Sequence, residues 1–299
     1  MSEPVDLERR FGGLARLYGD VAPDIFRRAH VAVAGLGGVG SWCAEALARC
    51  GVGALTLIDL DHIAESNVNR QLHALSSTLG QAKVHAMVDR VTGINPGCRV
   101  VAVDDFVDPA NVKTIFADDV DVIIDCTDQV SAKLAMILEA RRREVPIIVC
   151  GGAGGKTAVT ALRASDISVT QNDALLSKLR NTLRRQHGYP RAAVAAGKAP
   201  RRVPKMGVRT VWFDQPAVLP DLWAQSSGAN ALTGATAVPM AALGGLVVAA
   251  PGSPQAADMP TAPQGLSCAG YGSSVMVTAA MGMAAAGEAI QWLLNRRFA

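Results

Sequence analysis

The residues best suited to chemistry begin with a glycine turn. Gly35-Leu36-Gly37-Gly38-Val39-Gly40 follows the apolar run 31–34 and fits the spacing G-x-G-x-x-G. Glycines at Gly35, Gly37, Gly38 and Gly40 let the backbone approach a phosphate, while the succeeding helix offers free N–H groups and the positive end of its dipole. Asp59, at the end of the next apolar run, is placed to accept hydrogen bonds from ribose hydroxyls. Taken alone, these residues read as a nucleotide site and do not separate a nicotinamide dinucleotide from ATP.

Residues further along the chain separate the two. Asp61, Asn67, Arg70 and Gln71 come soon after Asp59, Lys83 opens a helix, and Cys126-Thr127-Asp128 closes another strand. A dehydrogenase has no need of Arg70 and Lys83 beside its pyrophosphate. An enzyme that attacks an α-phosphate does, because negative charge builds there and on the departing pyrophosphate. Asp128, at the carboxyl end of a strand, faces the crevice where open α/β sheets bind ligands and is suited to hold Mg²⁺. Arg70, Lys83 and Asp128 are thus the expected catalytic set, with Asp128 as the metal ligand. Each has a structural alternative: a surface ion pair for Arg70, a solvated helix position for Lys83, a cap for Asn67, and an N-cap for Asp128.

Positioning these residues requires a particular set of elements. The run 31–34, the glycine turn, a helix over 41–50 and an apolar run over 54–58 make a βαβ unit, hence a parallel sheet. A helix is expected over 81–94, ending at Asn95-Pro96-Gly97, with strands at 99–103, 120–125 and 146–150 and a helix at 131–143. The expected fold is therefore α/β, a doubly wound Rossmann-like, mostly parallel sheet with helices on both faces. Beyond residue 160 the pattern weakens. A helix is expected over 172–186, with Leu175, Leu176, Leu179 and Leu183 on one face, and a last helix over 274–296. Residues 188–265 are rich in Gly, Ala and Pro and read as loops. The expected division is residues 1–160 as the nucleotide-binding core and residues 161–299 as a basic segment with loops and a C-terminal helix packing on that core.

Bulk properties bound the function. The 299 residues are 49% hydrophobic and 18% charged, suited to a globular fold. The N-terminal Met1–Arg10 is charged and has no apolar stretch of signal-peptide type. The apolar run 274–287 is shorter than the roughly 20 residues a membrane span needs, so no membrane partner is expected. Six scattered cysteines without a CxxC pair suit a reducing cytoplasm and argue against zinc. The net charge of +3 hides an asymmetry: Ala174–Phe213 carries ten Lys and Arg residues and no Asp or Glu, which leaves the remainder acidic. Among them Lys178, Arg180, Arg184, Arg185, Arg201 and Arg202 are the expected contacts to a polyanion, with binding that weakens steeply in salt.

The stretch Gly35–Asp128 resembles the superfamily of ubiquitin-activating and molybdopterin-synthase-adenylating enzymes, whose pattern is GxGGxG, D-x-D, N-x-x-R-Q, a helix lysine and T-D. More closely, Arg10-Phe11-Gly12-Gly13, Arg16-Leu17-Tyr18-Gly19, GGVGSW, Asn69-Arg70-Gln71, Val103-Asp104-Asp105-Phe106 and Gly151-Gly152-Ala153-Gly154-Gly155 resemble the tRNA threonylcarbamoyladenosine dehydratase family. That resemblance implies ATP-dependent activation of a threonyl carboxylate in tRNA as an adenylate, then ring closure with loss of AMP. It implies ATP at the glycine turn, Asp59, Asp61, Asn67 and Gln71, phosphate contacts from Arg70 and Lys83, and Mg²⁺ on Asp128. It further implies tRNA as partner, a homodimer, and room for a sulfur-transfer protein. In the wider superfamily an N-terminal arginine reaches the partner subunit's ATP; here Gly13 falls at that place, with Arg16 three residues on.

Rival readings are adenylation of the C-terminus of a ubiquitin-like sulfur carrier, an NAD(P)-dependent oxidoreductase, and a silent nucleotide-binding scaffold. The absence of paired CxxC motifs speaks against the first. Gly151–Thr157 misses the P-loop pattern because Cys150 stands where glycine is required, so it reads as a glycine-rich turn lining the substrate pocket, with Lys156 a secondary candidate for phosphate. Cys268 reads as structural or substrate-lining, since cyclisation of an adenylate needs no enzyme nucleophile.

Overall fold

The computed structural model describes residues 6–191, 203–218 and 271–295, all belonging to one compact unit. Its centre is a seven-stranded sheet in the order β3-β2-β1-β4-β5-β7-β6. The strands are β1 (His30–Ala34), β2 (Ala54–Ile58), β3 (Arg99–Val103), β4 (Val122–Asp125), β5 (Ile147–Cys150), β6 (Leu162–Asp166) and β7 (Arg209–Phe213). All pairings are parallel except β6 with β7. This is the expected doubly wound α/β fold.

The two faces of β1 explain the layering. Val31 and Val33 point into one apolar cluster with α3 (Gly40–Arg49), α4 (Lys83–Ile94) and α8 (Val275–Asn295), while Ala32 and Ala34 point into a second with α6 (Val130–Arg143) and α7 (Ala174–Gln186). Strands β1, β2, β4 and β5 are buried throughout, as strands covered on both faces must be. Each large aliphatic side chain so buried contributes roughly 1.5–3 kcal/mol. Helices α1 (Leu7–Tyr18) and α2 (Ala22–Arg28) precede the sheet, and short α5 (Val112–Ile115) lies between β3 and β4.

The chain steps to β2 on one side of β1 and to β4 on the other, so a crevice opens at the carboxyl ends of β1 and β4. The glycine turn and the 126–129 loop lie there. Helix α8 crosses back to pack along α3, and this requires glycine at 282: a Cβ there would overlap the Val39 carbonyl oxygen at the start of α3. Among the described residues no helix is long and apolar enough to cross a membrane.

The described strands and helices expected up to residue 160 are present with bounds shifted by at most two residues. The β6–β7 pair was not expected, since Arg209–Phe213 fell inside the region read as loops. Of the remaining 188–264 segment, much lies outside the described residues.

Candidate active site

One cavity of about 1010 Å³ occupies the crevice. Its lining includes Gly35, Gly37, Gly38, Asp59, Asp61, Asn67, Arg70, Gln71, Lys83 and Asp128, and continues to Gly151–Gly154, Lys156, Thr170–Leu175 and Arg180. Gly40 stands behind the turn as the first residue of α3.

The turn has its shape because side chains are excluded from it. Gly35 has φ +84°, and a Cβ there would meet the Cys126–Thr127 backbone at 3.0 Å. A Cβ on Gly40 would collide with the Gly35 carbonyl. Asp59 locks the turn from the other side: Leu36 N–H donates to its Oδ2 at 2.6 Å and Asp61 N–H to its Oδ1 at 2.9 Å. Burial raises the Asp59 carboxyl above its ordinary value, against the pull of the Lys83 ammonium and these backbone donors. Each Asp59 oxygen retains acceptor capacity beyond its backbone partner.

Lys83 is buried, and its Nζ sits 2.6 Å from Asp61 Oδ2 and 3.7 Å from Asp59 Oδ1. It is therefore no solvated helix position. Arg70 donates to the Ser66 carbonyl at 2.6 Å and to Asn69 Oδ1 at 2.9 Å, and makes no ion pair among the described residues. Its backbone is fixed by Trp42, whose Nε1 donates to the Arg70 carbonyl at 3.1 Å, and Ser41 Oγ accepts from Leu72 N–H at 3.2 Å. Asn67 has the capping role foreseen as its alternative, accepting from Ala64 N–H at 3.1 Å while still lining the cavity. Gln71 is buried with its Oε1 unpartnered among the described residues.

Asp128 is exposed at the cavity edge and makes no hydrogen bond or ion pair among the described residues. It does not cap α6; Gln129 occupies that position. A carboxylate at the lining of the cavity, unpaired among the described residues, fits Mg²⁺, which takes one or two carboxylates and completes its shell with phosphate oxygens and water. Among the described residues no cluster of three or more His, Cys, Asp or Glu could hold a metal by itself.

The residues expected to meet a polyanion are divided. Lys178 and Arg185 are exposed on α7. Arg184 is half-buried and donates to the Pro190 carbonyl at 3.1 Å. Arg180 turns inward, with Nη1 donating to the Thr170 carbonyl and hydroxyl at 2.7 Å each. Arg201 and Arg202, like Cys268, lie outside the described residues.

Several functional-looking residues escaped the sequence reading, or, like Phe106, entered it only as part of a family motif. Beneath the 126–129 loop, Asp125 and Lys133 form a fully buried ion pair at 3.2 Å, and Lys133 also donates to the Cys150 carbonyl at 2.8 Å. Thr127 donates both its N–H and its hydroxyl to Asp125 Oδ1, at 3.0 and 2.7 Å, so this pair fixes the loop that carries Asp128. Phe106 lines the cavity while half exposed. Thr278 of α8 packs behind Gly38. The only sequence signal for Lys133 was its place in an otherwise apolar helix face.

The ThiF family model matches residues 14–298. The chain belongs to the ThiF family. It is 38% identical over 289 residues to the tRNA threonylcarbamoyladenosine dehydratase of Escherichia coli strain K12, covering 96% of this chain and 94% of that protein. The dehydratase of Haemophilus influenzae strain Rd is 36% identical over 291 residues, with 97% and 95% covered. The fold is similar to the crystal structure of the E. coli tRNA N6-threonylcarbamoyladenosine dehydratase in complex with ATP, with a TM-score of 0.75, 34% identity, and 99% and 98% of the two chains covered. The resemblance stated from the motifs thus extends over nearly the whole chain, well past the stretches that carried it. By contrast, the E. coli molybdopterin-synthase adenylyltransferase is similar over only 125 residues, 42% of this ThiF family chain, at 34% identity.

Proposed function

We propose that the chain catalyses ATP-dependent dehydration of threonylcarbamoyladenosine in tRNA through a carboxyl-adenylate. The observation that carries this is one continuous cavity whose lining runs from the glycine turn and Asp59 to the Gly151–Gly154 strip, Lys156 and Arg180, so that a nucleotide and an acceptor can share it. An oxygen of the threonyl carboxylate attacks the α-phosphorus of ATP, and the bond to pyrophosphate breaks. An internal nucleophile of the substrate then attacks the activated acyl carbon, closing a ring. AMP leaves with the carboxylate oxygen and the nucleophile loses its proton, so water is removed overall.

The glycine turn brings backbone N–H groups to the phosphates, and Asp59 takes the ribose hydroxyls with its remaining lone pairs. Asp61, Asn67 and Gln71 line the same half. Arg70, free of a carboxylate partner among the described residues, and Lys83 stabilise the charge that grows on the α-phosphate and pyrophosphate. Asp128 would hold Mg²⁺ against the phosphates, where the ion neutralises charge. Lys178 and Arg185 offer their exposed charges to the tRNA backbone. A homodimer and a cytoplasmic compartment accompany this reading.

ATP–pyrophosphate exchange is the test. Exchange that requires tRNA bearing threonylcarbamoyladenosine is expected; exchange that requires a ubiquitin-like carrier protein instead would overturn the proposal.

A further inference from the structure

Four Lys and Arg side chains line the cavity among the described residues: Arg70, Lys83, Lys156 and Arg180. Lys83 is neutralised by Asp59 and Asp61. Arg180 spends its guanidinium on the Ile167 and Thr170 carbonyls and on the hydroxyls of Thr170 and Ser177. Lys156 stands apart. It is 5% exposed, and its Nζ donates to the Asn172 carbonyl at 2.7 Å and to the Gln215 carbonyl. Both acceptors are neutral, and one of the three N–H groups is left over.

The neighbouring carboxylates compensate this charge only in part, without touching it. Asp173 and Asp214 act on Lys156 from beyond ion-pair distance. Asp173 accepts from Gly152 N–H at 2.9 Å and caps α7 through Leu176 N–H at 2.9 Å, and Asp214 accepts from the Asn172 amide at 2.9 Å. A buried ammonium hydrogen-bonded only to carbonyls is costly, and burial lowers its pKa against the distant pull of Asp173 and Asp214. An anion in the cavity would relieve that cost.

The wall beside Lys156 is built to admit such a ligand. A Cβ on Gly151 would collide with the Asp173 carboxylate, and Gly155, at φ +69°, is pressed against Ala217 and Val218. Gly152, in contrast, has open space where its Cβ would project. The strip Gly151–Gly154 therefore presents a nearly side-chain-free surface next to a buried cation.

We infer that Lys156 is the cation that recognises the acceptor's carboxylate, donating its remaining N–H to it and orienting it toward the α-phosphate. This rests on the function proposed above and adds a residue that reads the acceptor, where Arg70 and Lys83 read the nucleotide.

The test uses the full chain with a non-hydrolysable ATP analogue, titrated with the nucleoside threonylcarbamoyladenosine and with its carboxamide counterpart. The wild type should favour the carboxylate by about tenfold or more, as expected for a charge-assisted hydrogen bond of roughly 1.5–3 kcal/mol. Lys156→Gln, which can still donate to the two carbonyls, should bind both ligands equally, and Lys156→Arg should restore part of the preference. Affinity for the ATP analogue should be unchanged in both variants, which reports an intact fold. Undiminished preference in Lys156→Gln would overturn the assignment of Lys156 alone. Weaker binding of tRNA with that preference retained would assign Lys156 to a backbone phosphate and would also overturn it. No response of the wild type to the nucleoside or to modified tRNA would sink the functional reading, and the role of Lys156 with it.

Discussion

The two halves of the cavity are held together differently. Around the half proposed to hold the nucleotide, shape comes from close backbone packing: Gly35 and Gly40 have no room for a Cβ, and Asp59 and Lys83 are ion-paired. Around the acceptor half, shape comes from side chains reaching carbonyls and amides between loops. Lys156 ties Asn172 to Gln215, Gln215 Oε1 accepts from the Thr157 and Ala158 N–H groups at 3.0 Å each, and Arg180 gathers Ile167 and Thr170. The first arrangement suits a ligand of fixed geometry such as a triphosphate. The second can be reshaped by single side-chain changes, which suits the part of a site that chooses among acceptors.

This contrast can be broken experimentally. Arg70→Ala should reduce ATP–pyrophosphate exchange by about 10²–10³-fold, the usual cost of one preorganised donor, with an unchanged unfolding midpoint. A parallel fall in midpoint would mean that Arg70 is structural. Gly40→Ala should lose ATP binding and about 3 kcal/mol of stability in denaturant unfolding, because its Cβ meets backbone that cannot yield. Asp173→Ala should cost about 1–2 kcal/mol, through a lost cap and an orphaned Gly152 N–H, yet leave ATP affinity intact. If calorimetry found ATP binding equally impaired there, the halves would not be separable.

A further effect appears only in acid. His73 is buried, its ring nitrogens have no hydrogen-bond partner among the described residues, and burial, assisted by Lys83, lowers its pKa from 6.5 to about 4. The unfolded chain therefore binds the proton more readily. The stabilisation from keeping His73 neutral is present above pH 6.5 and is lost as pH falls toward 4. Thermal midpoints measured across that window should fall more steeply in the wild type than in His73→Gln; identical slopes would refute the assignment.

The glycine turn and the strands that flank it were legible in the sequence because their determinants are local. A short apolar run, a glycine spacing and an acidic strand end occur in order, and each constrains backbone geometry directly. Strand β7 was missed although Thr210, Val211, Trp212 and Phe213 are residues that favour strands, because their basic and glycine-rich surroundings outweighed them. Strand β6 gave little signal: it lies at the sheet edge, half exposed, and carries Arg163 and Ser165. The Asp125–Lys133 pair was invisible because a lysine on an amphipathic helix ordinarily faces water, and only the fold reveals that it turns beneath the sheet ends. The inward turn of Arg180 was lost for a related reason. Charge counted along a segment says nothing of which side of a helix each cation occupies.

The docking of α8 has a consequence for folding. Thr278 lies against Gly38 and Arg70, and Gly282 against the start of α3, so the glycine turn leans on a helix more than two hundred residues away along the chain. The first strands can pair from neighbouring sequence, whereas the backing of the turn is complete only once that distant helix has docked.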